Sequence, residues 1–382
     1  MDKTNLPETI QVIVSEREKA IDRIRGCMIG GACGDALGYP VEFEQYEAIL
    51  QKYGSSGITS FSVDPATGSA LFSDDTQMSL FTANGLLYSQ TRAAMHGISS
   101  QPRYYVYLAY LDWLETQRGD KHGERICWLS DVKELWSCRA PGATCLDALS
   151  SGEQGSTEHR INHSKGCGGV MRVAPVGIAL RELDDASAAM EGAEIAALTH
   201  SHSLGFMPAA FLTYVIKHIV TDKEDADLSV IVRDASEMVR KLFSSRKHLG
   251  AFIDLIDKAV SLSSNDHSDI ENISSIGAGW CGDEALAIAV YCALRYHNDY
   301  SKAITAAVNH SGDSDSTGAL TGNIVGALVG YDAIDEKWKE NLELKDIILE
   351  IADDLCYGCL MNETDDFKDE TWIRKYVRSD RG

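Results

Sequence analysis

Four short stretches of the chain crowd carboxylates and hydroxyls against glycine. "GDALGYPVEF" carries Asp35 and Glu42, and "FSDDTQ" carries Ser73, Asp74 and Asp75. "GWCGDEALAIAVYCAL" carries Asp283 and Glu284, and "NHSGDSDSTGALTGNIVGALVG" carries Asp313 and Asp315 among Ser311, Ser314, Ser316 and Thr317. All four adjoin helical patterns, so each offers two chemistries. A side-chain oxygen before a helix caps its free N–H groups, and an acid there complements the helix dipole. That accounts for Asp283 and Glu284, a single acidic turn before an apolar helix. The other runs are denser than a cap needs. Hard cations such as Mg²⁺ and Mn²⁺ take several oxygens from carboxylates and hydroxyls. Ser73, Asp74 and Asp75, brought together with Asp313, Asp315 and Ser316, would supply six residues of that kind. None of those six residues is the His or Cys that zinc prefers. Spacing alone leaves cap and metal ligand both open here.

The elements that must position these residues read as helices. Apolar residues recur at helical period over 8–33, 75–89, 103–117, 185–199, 205–221, 228–243, 248–262, 283–297, 301–309, 315–331 and 343–358, and strand-like alternation is scarce. Polar stretches at 117–126, 150–165, 222–227 and 262–280 read as loops, none with the bias of a linker. The expectation is one mainly α-helical domain, residues 23–382, with residues 1–22 as an appended amphipathic helix. Two glycine series recur at spacing four: Gly26, Gly30, Gly34 and Gly38, then Gly318, Gly322, Gly326 and Gly330. In a helix each glycine costs about 1 kcal/mol against alanine, so a compensating gain is expected. Close helix–helix approach along a bare stripe is that gain. Packed antiparallel, the stripes would bring Glu42 near Asp313 and Asp315.

Composition narrows the function classes. With 35 basic against 57 acidic residues the formal net charge is −22, which argues against binding to nucleic acid or an anionic membrane by bulk charge. A hydrophobic content of 44% supports a large core. The N-terminal stretch is polar, without an apolar leader, and no apolar run approaches bilayer length. The ten cysteines are scattered, which suits buried reduced thiols in a cytoplasmic protein. The lone CxxC, Cys356 and Cys359, lacks a second pair at zinc spacing. Tyr104, Tyr105, Tyr107, Tyr110 and Trp113 could stack on a base, but their spacing is that of a helix core.

Seven ordered blocks carry a resemblance. "RIRGCMIGGACGDALGYPVEF", "FSDDTQMSLFTANGLL", "RAPGATCLDAL", "KGCGGVMRVAPVG", "THSHSLGF", "GWCGDEALAIAVYCAL" and "HSGDSDSTGALTGNIVGALVG" lie between residues 23 and 330. Together they resemble the ADP-ribosylglycohydrolase family. The resemblance implies a compact, single-domain, all-α orthogonal helical bundle with a centre of two Mg²⁺ or Mn²⁺ ions. It implies hydrolysis of the glycosidic bond between ADP-ribose and a modified protein side chain, most often arginine. On these positions it makes Ser73, Asp74, Asp75, Asp313, Asp315 and Ser316 the metal ligands. Glu42 matches a glutamate that contacts or gates the metals. His200 matches a histidine near the adenosine diphosphate, and Gly166, Cys167, Gly168 and Gly169 match a substrate-contacting loop. Some relatives have Asn where Cys167 stands, so the loop's contribution is expected from backbone N–H groups. His163 lies close to that loop, and Trp280 beside Gly279 is a candidate for shaping the pocket. Glu42 and Asp315, then Asp75, are candidates for the proton-accepting base. The competing reading is an immunity protein that neutralises an ADP-ribosyltransferase toxin by binding and occlusion, with or without hydrolysis, using residues 1–22.

Overall fold

The structure is a computed structural model describing residues 8–119, 125–222, 227–364 and 367–377, with side chains described from residue 16. Residues 1–7 of the expected extension, and parts of the expected loops 117–126 and 222–227, lie outside the described residues. The fold is all-α: among the described residues there are helices and isolated bridges but no strand. The chain runs through α1 (Glu8–Gly38), α2 (Tyr46–Tyr53), α3 (Asp74–His96), α4 (Pro102–Arg118), α5 (Ala143–Ser151) and α6 (Ala174–Ala179). It continues with α7 (Asp185–Ala197), α8 (Ser203–Thr221), α9 (Leu228–Leu242), α10 (Leu249–Leu262), α11 (Asp269–Ile276) and α12 (Gly282–Arg295). It closes with α13 (Tyr300–Val308), α14 (Ser314–Val329), α15 (Glu336–Lys339), α16 (Lys345–Tyr357) and α17 (Glu370–Tyr376).

All eleven expected helices are present, with ends displaced by a few residues. The expected boundary at residue 22 falls inside α1, which crosses it unbroken. The stretch 262–280, read as a loop, contains α11. Its polar, short sequence hides the apolar period, but a capping box betrays it: Ser268 accepts from Glu271 N–H while the Glu271 carboxylate returns to Ser268. The reading that no apolar run approaches bilayer length is also corrected. α8 has 19 residues and mean hydropathy 1.4, but 89% of that window is buried against the rest of the protein, as a core helix would be. The cysteines are all unpaired, as expected.

The centre of the fold is the antiparallel seam between α1 and α14. Every residue of α14 from Ser314 to Ala327 is buried. A Cβ on Gly26 would stand 2.2 Å from Gly326 O, one on Gly30 would stand 2.4 Å from Gly322 O, and one on Gly34 would stand 2.0 Å from Gly318 O. The reverse contacts are as tight, with a Cβ on Gly322 only 2.0 Å from Gly30 O. No L side chain fits such a seam, which explains the two stripes. The second stripe is one glycine shorter than expected. Gly330 leaves the stripe and ends α14 at φ 82°, and Gly38 packs instead on Ser314 O. Sealing the seam brings the C-terminal end of α1 against the N-terminal end of α14, and thereby sets the site.

Candidate active site

Three helix ends meet at this point. Asp313 caps α14, its Oδ1 accepting from Ser316 N–H at 3.3 Å, and Asp315 Oδ1 accepts from the same N–H at 2.9 Å. Ser73 caps α3 by accepting from Asp75 N–H at 3.2 Å. A second cap on α3 comes from α1. Asp35 Oδ1 accepts from Ser73 N–H at 2.8 Å, and its Oδ2 accepts from Thr76 N–H at 2.9 Å and from the Thr76 hydroxyl at 2.5 Å. With two caps already present, Asp74 and Asp75 have no capping duty and turn toward a shared cavity.

That cavity has a volume of about 330 Å³ and is lined by Glu42, Asp74, Asp75, Asp313, Asp315 and Ser316, among others. One oxygen each from Glu42, Asp313 and Asp315 lies within 4.8 Å of the other two. No Lys or Arg lines the cavity among the described residues. The nearby Arg139 guanidinium is committed to Glu343, with two N–O distances of 3.0 Å. Burial first, and then the neighbouring carboxylates, pushes Glu42 up to about 10 and Asp35 up to about 7, and raises Asp74, Asp75 and Asp313 well above the carboxylate range. Glu42 Oε2 and Asp75 Oδ2 are buried without a hydrogen-bond partner among the described residues. Buried, crowded, unpartnered carboxylate oxygens call for positive charge. An all-oxygen donor set of this kind fits hard divalent cations.

The opposite wall is the Gly-rich loop and His200. Gly168 and Gly169 are packed where a Cβ would stand 2.9 Å from His200 Cε1 and 2.5 Å from Gly205 O. The expectation that the loop offers free backbone N–H groups is corrected at Cys167, whose N–H donates to Trp280 O at 3.2 Å. The Cys167 thiol instead donates to Asp313 Oδ2 at 2.7 Å. Behind the loop, buried Arg172 donates to Thr199 Oγ1 at 2.6 Å, and Thr199 Oγ1 lies 2.9 Å from His200 Nδ1. His200 Nε2 lies on the side of Gly166 and Gly168. Burial, then the Arg172 charge, lowers His200 to about 3, so the ring is neutral.

The structure thus gathers most of the sequence-derived site around one cavity. Gly166, Cys167, Gly168, His200 and Trp280 line it with the carboxylates. Ser73 and Gly169 stand behind the lining. His163 is exposed and is not part of the lining, so it does not join the other site residues. None of the Tyr104–Trp113 aromatics lines the cavity; Tyr107, Tyr110 and Trp113 are core. Asp283 and Glu284 lie in the first turn of α12 but make no side-chain cap. Glu284 Oε2 instead accepts from Ala278 N–H at 3.1 Å, fixing the segment that carries Trp280. Sequence reading missed the capping role of Asp35, the Arg172–Thr199 support of His200, and Phe43 on the cavity rim.

The helical architecture and the carboxylate-lined cavity define a candidate active site, and the comparisons give its family. This chain belongs to the ADP-ribosylglycohydrolase family, whose sequence model matches residues 16–365. Membership makes it a glycohydrolase. It is 26% identical over 364 residues to the ADP-ribosylhydrolase ARH3 of Mus musculus, covering 85% of this chain and 88% of that protein. It is 23% identical over 361 residues to the ADP-ribosylarginine hydrolase Tri1 of Serratia proteamaculans, covering 90% and 81%. A solved structure described as an ADP-ribosylglycohydrolase-related protein complex shares the fold, with TM-score 0.56 and 18% identity over 89% of this chain and 98% of that one.

Proposed function

We propose that this protein reverses ADP-ribosylation in the cytoplasm, hydrolysing the N-glycosidic bond between ADP-ribose and an arginine side chain with the help of two Mg²⁺ or Mn²⁺ ions. The observation that carries the reading is the convergence of carboxylates from three helix ends on one cavity, with buried oxygens of Glu42 and Asp75 left unpartnered. Family membership supports the ADP-ribose linkage, and similarity to a protein named for ADP-ribosylarginine supports arginine.

Asp74, Asp75, Asp313, Asp315 and Ser316 would hold the ions, with Ser73 supporting them through its cap on α3. Bound divalent ions would supply positive charge for the substrate's hydroxyls and lower the pKa of a nucleophilic water. The chain's own residues do the rest. Glu42, on the non-helical segment after α1, takes the water proton while the sugar passes through an oxocarbenium-like state. Asp315 and Asp75 are less suited to that role because ligation spends their basicity. His200, neutral, hydrogen-bonds the nucleotide through Nε2 without adding charge. The tight Gly166–Gly169 loop keeps the approach to His200 free of side chains.

Arginine- and serine-ADP-ribosylated proteins incubated with Mg²⁺, with Asp315→Ala as control, test this reading. Release of ADP-ribose from the arginine-linked protein by the wild type alone is expected. Survival of both modifications would overturn it.

A further inference from the structure

Phe43 and Trp280 stack at the mouth of the cavity, with ring centroids 5.2 Å apart and planes 19° from parallel. The two rings come from segments far apart in sequence and gain little burial: Phe43 is 65% exposed and Trp280 40%. Each is held by a constrained backbone. Phe43 sits at φ 67°, a left-handed conformation that bulky residues rarely adopt, while Glu42 N–H and Glu44 N–H each donate at 3.0 Å to Gly38 O and Val41 O. Trp280 follows Gly279 at φ 84°, packed on Asp313, and its carbonyl accepts from Cys167 N–H. Strain at one ring and exposure of both are not what core packing produces.

The stack is also placed at the reacting end of the cavity. Phe43 is the neighbour of Glu42, and the Trp280 segment packs on Asp313. A bare π face beside a cluster of carboxylates, in a lining without Lys or Arg, matches a planar cation. We propose that the Phe43–Trp280 stack is the subsite that receives the guanidinium of ADP-ribosylated arginine, making this pair a specificity determinant. The proposal rests on the arginine linkage argued above and adds the residues that recognise it.

The test uses the full-length, Mg²⁺-supplemented enzyme with ADP-ribosylarginine as substrate and ADP-ribose as the ligand lacking a guanidinium. Phe43→Leu and Trp280→Leu are expected to raise KM for ADP-ribosylarginine about 3- to 30-fold, with little change in kcat. Phe43→Tyr, which keeps the π face, should hold KM near the wild-type value, and the Kd of ADP-ribose should move less than KM in every variant. Equal behaviour of Phe43→Leu and Phe43→Tyr would overturn the proposal in favour of plain apolar packing. An equal loss of ADP-ribose affinity would overturn it in favour of a nucleotide-stacking role. A fall in kcat with KM unchanged would overturn it by showing that the pair only positions Glu42. If the wild type cleaves ADP-ribosylserine but not ADP-ribosylarginine, the linkage reading itself fails and the subsite fails with it.

Discussion

The seam between α1 and α14 and the carboxylate basin at its end share two helices, the basin adding α3, and solve opposite problems. In the seam, side chains are removed so that backbones touch, and nothing charged is left to satisfy. In the basin, five carboxylates face one cavity, and two of their buried oxygens lack partners among the described residues. The first arrangement is a source of rigidity, and the second is tolerable only because that rigidity holds it. Asp35 joins the two. It projects from the seam helix, yet its carboxylate fixes the N-terminal turn of α3 and so aims Asp74 and Asp75. Stability and chemistry are thus separated by about one helical turn, and substitutions on either side should have opposite signatures.

The largest effect is expected from Asp315→Ala, which should lower kcat/KM at least about 1,000-fold while leaving the unfolding midpoint within a few degrees of wild type. Asp74→Ala should behave alike; a variant of either kind that unfolds but still turns over would make these carboxylates caps. Gly322→Ala should do the reverse, costing about 3 kcal/mol in urea unfolding with near-normal turnover per folded molecule. Tolerance of that alanine would break the account of the seam. Saturating Mn²⁺ should stabilise the wild type by about 2.7 kcal/mol for each bound ion at 100 times that ion's Kd. Asp75→Asn should lose this gain and, in chelator, melt above the wild type, because one repelling carboxylate is gone.

Smaller effects sharpen the picture of the opposite wall. Thr199→Val, which removes the hydroxyl that holds His200 Nδ1, should raise KM up to about 10-fold. NMR of the imidazole nitrogens should show wild-type His200 neutral between about pH 5 and 8. Its folded pKa of about 3 lies below the unfolded value of 6.5, so the stability contributed by the neutral ring is complete above pH 6.5 and is lost as pH falls toward 3. The smallest loss, about 1 kcal/mol of stability, is expected for Ser73→Ala, since Asp35 still caps α3.

The seam was legible because a stripe of period four is a local pattern, and its antiparallel pairing correctly placed Glu42 beside Asp313 and Asp315. The end of the second stripe was not legible. Whether Gly330 continues a stripe or ends a helix depends on Asp22, which a Cβ at Gly330 would strike. "SDD" and "DSDS" could be read as oxygen clusters, but spacing could not separate cap from ligand. That question turns on Asp35, 38 residues away from Ser73, taking over part of the capping. The support of His200 by Arg172 and Thr199 likewise exists only after α6 and α7 pack. Asp283 and Glu284 obeyed the rule for acids at a helix start, yet Glu284 serves the preceding segment, because Ala278 N–H is the donor that folding brings to it.

The central claim is that the carboxylate basin binds divalent metal and that hydrolysis depends on it. Enzyme stripped by chelation can be titrated with Mn²⁺, with bound ion counted by electron paramagnetic resonance and release of ADP-ribose from ADP-ribosylarginine followed in the same samples. The account predicts no turnover in the stripped enzyme, activity rising with occupancy to two ions per chain, and no such binding in Asp315→Ala. Full turnover by exhaustively stripped enzyme would contradict it.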